Sequence, residues 1–170
     1  MNKSFLILCI VFISCGEKKK EPAAQQKTST AKVLLKQPGF QLEHYSDWTI
    51  DSTAGGENML QLNSPSKNSF ASVALFNKGI DEKQYVNDQV KRFVPAIIKD
   101  AKVDSFTIGN YTGYGVKIEG YLEFKPIELK IFAGRRDTSS FALMTQLLVS
   151  SRATDEPGLQ LIQSSFNLNK

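Results

Sequence analysis

From Tyr114 to Phe124 the apolar residues keep a period of two. Tyr114, Val116, Ile118, Leu122 and Phe124 alternate with Gly115, Lys117, Glu119, Tyr121 and Glu123. Successive side chains of an extended strand point to opposite faces, so this segment predicts a strand with one wet and one buried face. Lys125-Pro126 predicts a turn, after which Ile127, Leu129, Ile131 and Ala133 carry the apolar row back. Residues 134–140 turn the chain again into 141–149, which is apolar on both faces and therefore central. Three such strands in succession build an antiparallel sheet, and its apolar face must be covered.

The cover is predicted over residues 82–99. Val86, Val90, Phe93, Val94, Ile97 and Ile98 form one continuous helical stripe. Asp81 is placed to cap that helix, with Gln84 three residues on. Pro95 interrupts the hydrogen-bond ladder and predicts a kink. Upstream, Phe40–Tyr45, 58–64 and Phe70–Phe76 read as shorter strands separated by Gly55-Gly56 and Pro65. Thr154-Asp155-Glu156-Pro157 predicts the start of a short C-terminal helix, with acids and proline in its first turn. Ser165-Phe166-Asn167-Leu168 then docks the terminus. The expected fold is α+β: one curled antiparallel sheet packed against one long helix and a short C-terminal helix.

The N-terminus follows a different logic. Lys3 precedes the apolar run from Phe5 to Ile13, the charged-then-apolar layout of an export signal. At ~1.5 Å per helical residue this run covers roughly half of a ~30 Å hydrocarbon core, too little for a transmembrane anchor. Phe12-Ile13-Ser14-Cys15 resembles the lipobox of bacterial lipoproteins, with Phe12 in place of the usual leucine. Cys9 is preceded by Leu8, too large for the cleavage site. The resemblance implies a signal peptide over 1–14 and an acylated Cys15 as the first mature residue, the lipidation site. The competing reading is an ordinary secretory signal with an incidental cysteine. Residues 16–32 hold no aromatic and no large aliphatic residue, which predicts a flexible tether. Residues 15–37 are taken as lipidated cysteine and tether, and 38–170 as the domain. The expected location is the cell envelope, lipid-anchored in the outer membrane and facing the periplasm.

Charge and residue types exclude several functions. The formal net charge of +4 comes from the leader and the tether; residues 33–170 hold fifteen Lys and Arg against fifteen Asp and Glu. Nothing there concentrates positive charge as a nucleic-acid-binding face requires, so no nucleic-acid partner is expected. Both cysteines lie at or before position 15, which removes disulfides, thiol nucleophiles and thiolate metal sites from the domain. His44 is the one histidine and reads as a strand residue; no Gly-x-Ser-x-Gly elbow accompanies it. Gly109-Asn110-Tyr111-Thr112-Gly113-Tyr114-Gly115 reads as a turn between strands, because it lacks the lysine of a phosphate loop. No cofactor, metal or catalytic residue is assigned, and the chain is expected not to be an enzyme.

The whole pattern resembles the PsbP-like fold over roughly residues 40–168. The resemblance rests on Tyr45-Ser46-Asp47-Trp48-Thr49-Ile50, on Asn63-Ser64-Pro65 closing the second strand, on the helix at 82–99 and on the closing Ser165-Phe166-Asn167-Leu168. It implies a sandwich with Trp48 packed under the sheet and an accessory or assembly role without shared catalytic residues.

Two functions stay open. One is a non-enzymatic envelope lipoprotein that binds another envelope protein. Its candidate partner surface is Tyr111, Tyr114, Tyr121, Arg135 and Arg136, although the tyrosines also suit strand packing and the arginines a solvated turn paired with Asp137. The other is a ligand-binding or chaperone-like module holding a lipid or small molecule between helix and sheet. A filled core favours the first and a large apolar cavity with a mouth favours the second. Whichever holds, Cys15 sets the address. Cys15→Ala should leave an uncleaved precursor or a soluble product. Mass spectrometry of the mature N-terminus checks it, and an unmodified cysteine there rejects the assignment.

Overall fold

A computed structural model describes residues 30–51, 53–54, 58–93 and 101–169. Ten strands and two helices follow in the order β1 Lys32–Gln37, β2 Phe40–Tyr45, β3 Thr49–Asp51, β4 Met59–Asn63, β5 Phe70–Phe76, α1 Glu82–Phe93, β6 Asp104–Ile108, β7 Tyr111–Leu122, β8 Lys125–Arg136, β9 Ser139–Leu148, α2 Arg152–Ser165 and β10 Asn167–Leu168. A single 3-10 turn, Val149–Ser151, leads into α2.

The alternation at 114–133 becomes the hairpin β7–β8, whose register runs from Gly113↔Gly134 to Leu122↔Lys125. β9 pairs along the other edge of β8, and the seven-stranded sheet has the order β3-β4-β5-β9-β8-β7-β6. Every pairing in it is antiparallel. β1, β2 and β10 form a second, three-stranded sheet. The single curled sheet expected from the sequence is therefore two sheets.

The helices lie on opposite faces of the large sheet. Val86 and Val90 of α1 pack against Val116 and Ile118 of β7 and Leu129, Ile131 and Ala133 of β8. On the other face Leu159 and Ile162 of α2, with Phe166 beyond it, join Phe132, Phe141 and Leu143 of the large sheet to Phe40 and Leu42 of the small one. α2 is thus the wedge between the two sheets. That explains why β8 is buried on both faces, although only one of its faces reads as apolar throughout.

Several expectations change. The C-terminal helix is not short: it spans fourteen residues, begins at Arg152 and carries Pro157 inside. Pro157 lies beyond the first turn, so the Ala153 carbonyl loses its helical donor; Ala153 is exposed, where water can take that place. Residues 32–37, assigned to the tether, form an edge strand paired with β2 along their full length, so the domain begins before residue 38. β7 starts at Tyr111, and the turn expected over 109–115 shrinks to Gly109-Asn110, with Gly109 in the left-handed region at φ +54°. The cap at Asp81 is present, its Oδ1 accepting the Gln84 N–H at 2.8 Å. The kink at Pro95, the stripe beyond Val90 and the tether at 16–29 lie outside the described residues or side chains.

Trp48 is 4% exposed and belongs to the cluster around Phe166, not to that of Val90. It lies against Gly158 of α2 so closely that a Cβ there would fall on the indole ring. Gly158→Ala should therefore lower stability: overpacking costs about 1–3 kcal/mol, against a helix-propensity gain of at most about 1 kcal/mol. Thermal melting followed by the fluorescence of Trp48 checks this, and an unchanged or raised Tm would refute the contact.

Candidate functional site

The five candidate surface residues separate into three places. Tyr111 opens β7 and is buried. Its ring meets Phe141 edge-on at 4.9 Å and Phe166 at 5.8 Å. Its hydroxyl donates to Asn167 Oδ1 at 2.9 Å and accepts the Leu168 N–H at 2.8 Å. Tyr111 is therefore the core residue that fixes β10, and it offers a partner only its edge. Tyr114 lies on the α1 face, partly exposed, with Lys83 Nζ 5.7 Å from its ring centroid. Tyr121 sits at the opposite end of β7, 62% exposed.

Arg135 and Arg136 close β8 beside Tyr111. Arg135 Nε donates to Glu82 Oε1 at 2.7 Å and its Nη2 to the Ile80 carbonyl at 3.1 Å. The partner expected from sequence was Asp137, but that residue lies beyond the strand in the turn, at φ 54°, and α1 presents Glu82 to Arg135. The Arg135 hydrogen bond holds the Glu82 carboxyl below the usual carboxylate range. Arg136 Nη1 donates to the Leu168 carbonyl at 2.9 Å. Together with Gln41, Asn110, Asn167 and Asn169, the two arginines and Tyr111 line an open cleft of about 630 Å³. Its wall offers side-chain amides and guanidinium N–H groups, which suits a polar, hydrogen-bonding surface.

A catalytic arrangement is not assembled there. His44 is buried in β2, its Nδ1 2.7 Å from the Tyr45 carbonyl oxygen, and it does not line the cleft. Among the described residues no group of three or more His, Cys, Asp or Glu side chains is placed to hold a metal ion.

The opposite end carries a charge cluster that sequence reasoning missed. Buried Glu128 accepts from Lys117 and Arg152 at 3.0 Å each and lies 3.3 Å from Lys130. Burial pushes its carboxyl up, but Lys117, Arg152 and Lys130 outweigh burial and hold it below the usual range. Nearby, Asp155 Oδ2 accepts the Ser64 and Ser66 hydroxyls at 3.0 and 2.6 Å, which staples α2 to the turn at Asn63-Ser64-Pro65. A second missed feature is the tip of the β7–β8 hairpin. The turn is Glu123-Phe124, not Lys125-Pro126, with both residues left-handed at φ 49° and 66°. Phe124, placed on the apolar face by its parity, is 98% exposed. Nothing in the local sequence signals this turn, since it holds none of the Gly, Asn or Asp that such φ values favour.

No family model matches the chain, and no curated protein sequence matches it. Solved structures do. Cyanobacterial PsbP (CyanoP) from Synechocystis aligns with a TM-score of 0.52 over 88% of this chain and 98% of its own, at 10% identity. The Ran-binding protein Mog1p of Saccharomyces cerevisiae aligns at 0.54 over 82% and 96%, also at 10% identity. The fold is PsbP/Mog1-like. A Bacteroides thetaiotaomicron protein aligns at 0.56 and 12% identity over 81% of this chain, which spans about half of that protein, 48%. The likeness is one of fold: mostly antiparallel sheet with two helices, as the resemblance implied.

Tyr111 gives the test of the cleft's framework. Tyr111→Phe keeps the ring but leaves the buried Leu168 N–H and Asn167 Oδ1 without this partner. A loss of about 1–3 kcal/mol in denaturant unfolding is expected. A neutral variant would show that the hydroxyl does not hold β10.

Proposed function

We propose that this chain is a non-enzymatic, lipid-anchored accessory protein of the cell envelope that binds another envelope protein. The observation that supports this over a ligand carrier is how the helix–sheet spaces are filled. Val86 and Val90 meet Val116, Ile118, Leu129 and Ile131 on one face, and Leu159, Ile162 and Phe166 meet Phe132, Phe141 and Leu143 on the other. The cleft at the Arg135–Arg136 end lies outside these spaces and is walled largely by polar groups. Such a wall recognises a partner by hydrogen bonds. A Ran-binding protein shares the fold, in keeping with a binding role. Among the described residues no helix is long and apolar enough to cross a membrane. The proposed anchor is the acyl group on Cys15, following the Phe12-Ile13-Ser14-Cys15 pattern, and the expected site is the periplasmic face of the outer membrane.

A photo-crosslinker at Asn110, on the rim of the Arg135–Arg136 cleft, tests this in the lipidated chain within its native envelope. One discrete protein adduct is expected there, and none from a crosslinker at Lys91 on the exposed side of α1. Stoichiometric release of a lipid or metabolite on denaturing the purified chain would instead establish the carrier function.

A further inference from the structure

The hairpin tip exposes what a soluble fold ordinarily hides. Phe124 is 98%, Tyr121 62% and Leu122 47% exposed, and Val149 beside them is also exposed. The Phe124 backbone is held in the left-handed region, which a bulky residue rarely adopts. Glycine or asparagine would serve such a turn better, and a side chain this exposed contributes almost no packing. The phenylalanine is therefore explained by something outside the fold.

The topology says what lies beyond that end. Tyr121 and Pro126 lie against Val149 and Arg152, at the start of α2. α2 runs from there past Trp48 at Gly158 to Glu43 at Ser165, so β2 runs antiparallel to it. β1 pairs antiparallel to β2, with Lys32 opposite Tyr45 and the Ala31 carbonyl accepting the Ser46 N–H at 2.9 Å. Thr30 and Ala31, which precede β1, therefore lie at the end that carries the tip. Cys15 lies fifteen residues before Thr30, a reach of at most about 50 Å. The turn at Ser64-Pro65-Ser66, held by Asp155, brings exposed Lys67 to this same end, and Lys125 flanks the tip.

We infer that the β7–β8 tip inserts Phe124 and Leu122 into the interface of the bilayer that holds Cys15. This rests on the lipoprotein reading given above. Phe and Leu of interfacial segments bury at the boundary of headgroups and acyl chains, Tyr settles at headgroup level, and ammonium groups sit among anionic phosphates. Glu123 limits the depth, because its carboxylate must stay hydrated, so the tip enters the interface and not the hydrocarbon centre. Once the acyl anchor is in place, insertion is intramolecular and a weak contact suffices. The Arg135–Arg136 cleft, at the other end of the strands, then faces away from the membrane.

The lipidated full chain in phosphatidylethanolamine–phosphatidylglycerol vesicles tests this. Lys125→Cys carries an environment-sensitive dye, with Thr138→Cys at the far end as control. Quenching by lipid-borne spin labels should be several-fold stronger at position 125 than at 138, and should fall to the control level in Phe124→Asp. Phe124 is exposed, so that variant should keep the wild-type Tm. Equal weak quenching at both positions, with acyl mass confirmed on Cys15, overturns the insertion and leaves the anchor standing. A dye shielded from aqueous iodide but not quenched from the lipid overturns it in favour of a protein on the tip. If Cys15 proves unmodified the anchor falls, and the same labelled chain mixed with the vesicles decides: a Phe124-dependent blue shift supports insertion, and its absence rejects it.

Discussion

Everything on one side of the molecule depends on the contact between Trp48 and Gly158. A helix can wedge between two sheets only if it comes close to both, and here the closest approach is an indole against a residue with no side chain. With the helix seated, Phe166 at its end reaches Phe40, Tyr111 and Phe141, and the Tyr111 hydroxyl binds the short closing strand. At the other end Asp155 ties the same helix to Ser64 and Ser66. The three-stranded sheet therefore has its place because α2 does. Its strands pair with one another, and the aromatic layer under the helix joins them to the larger sheet.

The two ends of the strands differ in chemistry. One gathers arginines and amides around an open cleft, and the other gathers an apolar hairpin tip, exposed lysines and the start of β1. Charges pair at both ends: Glu128 takes three cations near the tip, and Glu82 takes Arg135 beside the cleft.

Much of the fold was legible because it is written in periodicity. β2 and β5 fall where the sequence placed them, β7, β8 and β9 follow the alternation at 114–149, and Asp81 caps α1 as its type and position suggested. The strands β1 and β6 were not legible. Lys32–Gln37 follows a polar segment and mixes Val33, Leu34 and Leu35 with lysines, so its extended state depends on pairing with β2. The site was legible only in part. Arg135, Arg136 and Tyr111 do converge, but which of them is buried was hidden, since a tyrosine opening a strand looks alike in core and surface. The tip was read backwards, because parity put Phe124 inside while the turn takes it out of the ladder.

Sequence alone determined the local matters: the apolar run from Phe5 to Ile13 before Cys15, the absence of cysteine after position 15, the alternation of the long hairpin and the start of α1. Each depends on residues close together in the chain, where spacing is enough. The tertiary structure alone decided that there are two sheets, that α2 is their wedge, that Tyr111 is an anchor and that Phe124 is free. Those outcomes join residues as far apart as Glu43 and Ser165 or Ser64 and Asp155. The energies that select them come from burial and hydrogen bonding between distant segments, which leave no periodic trace in either segment by itself.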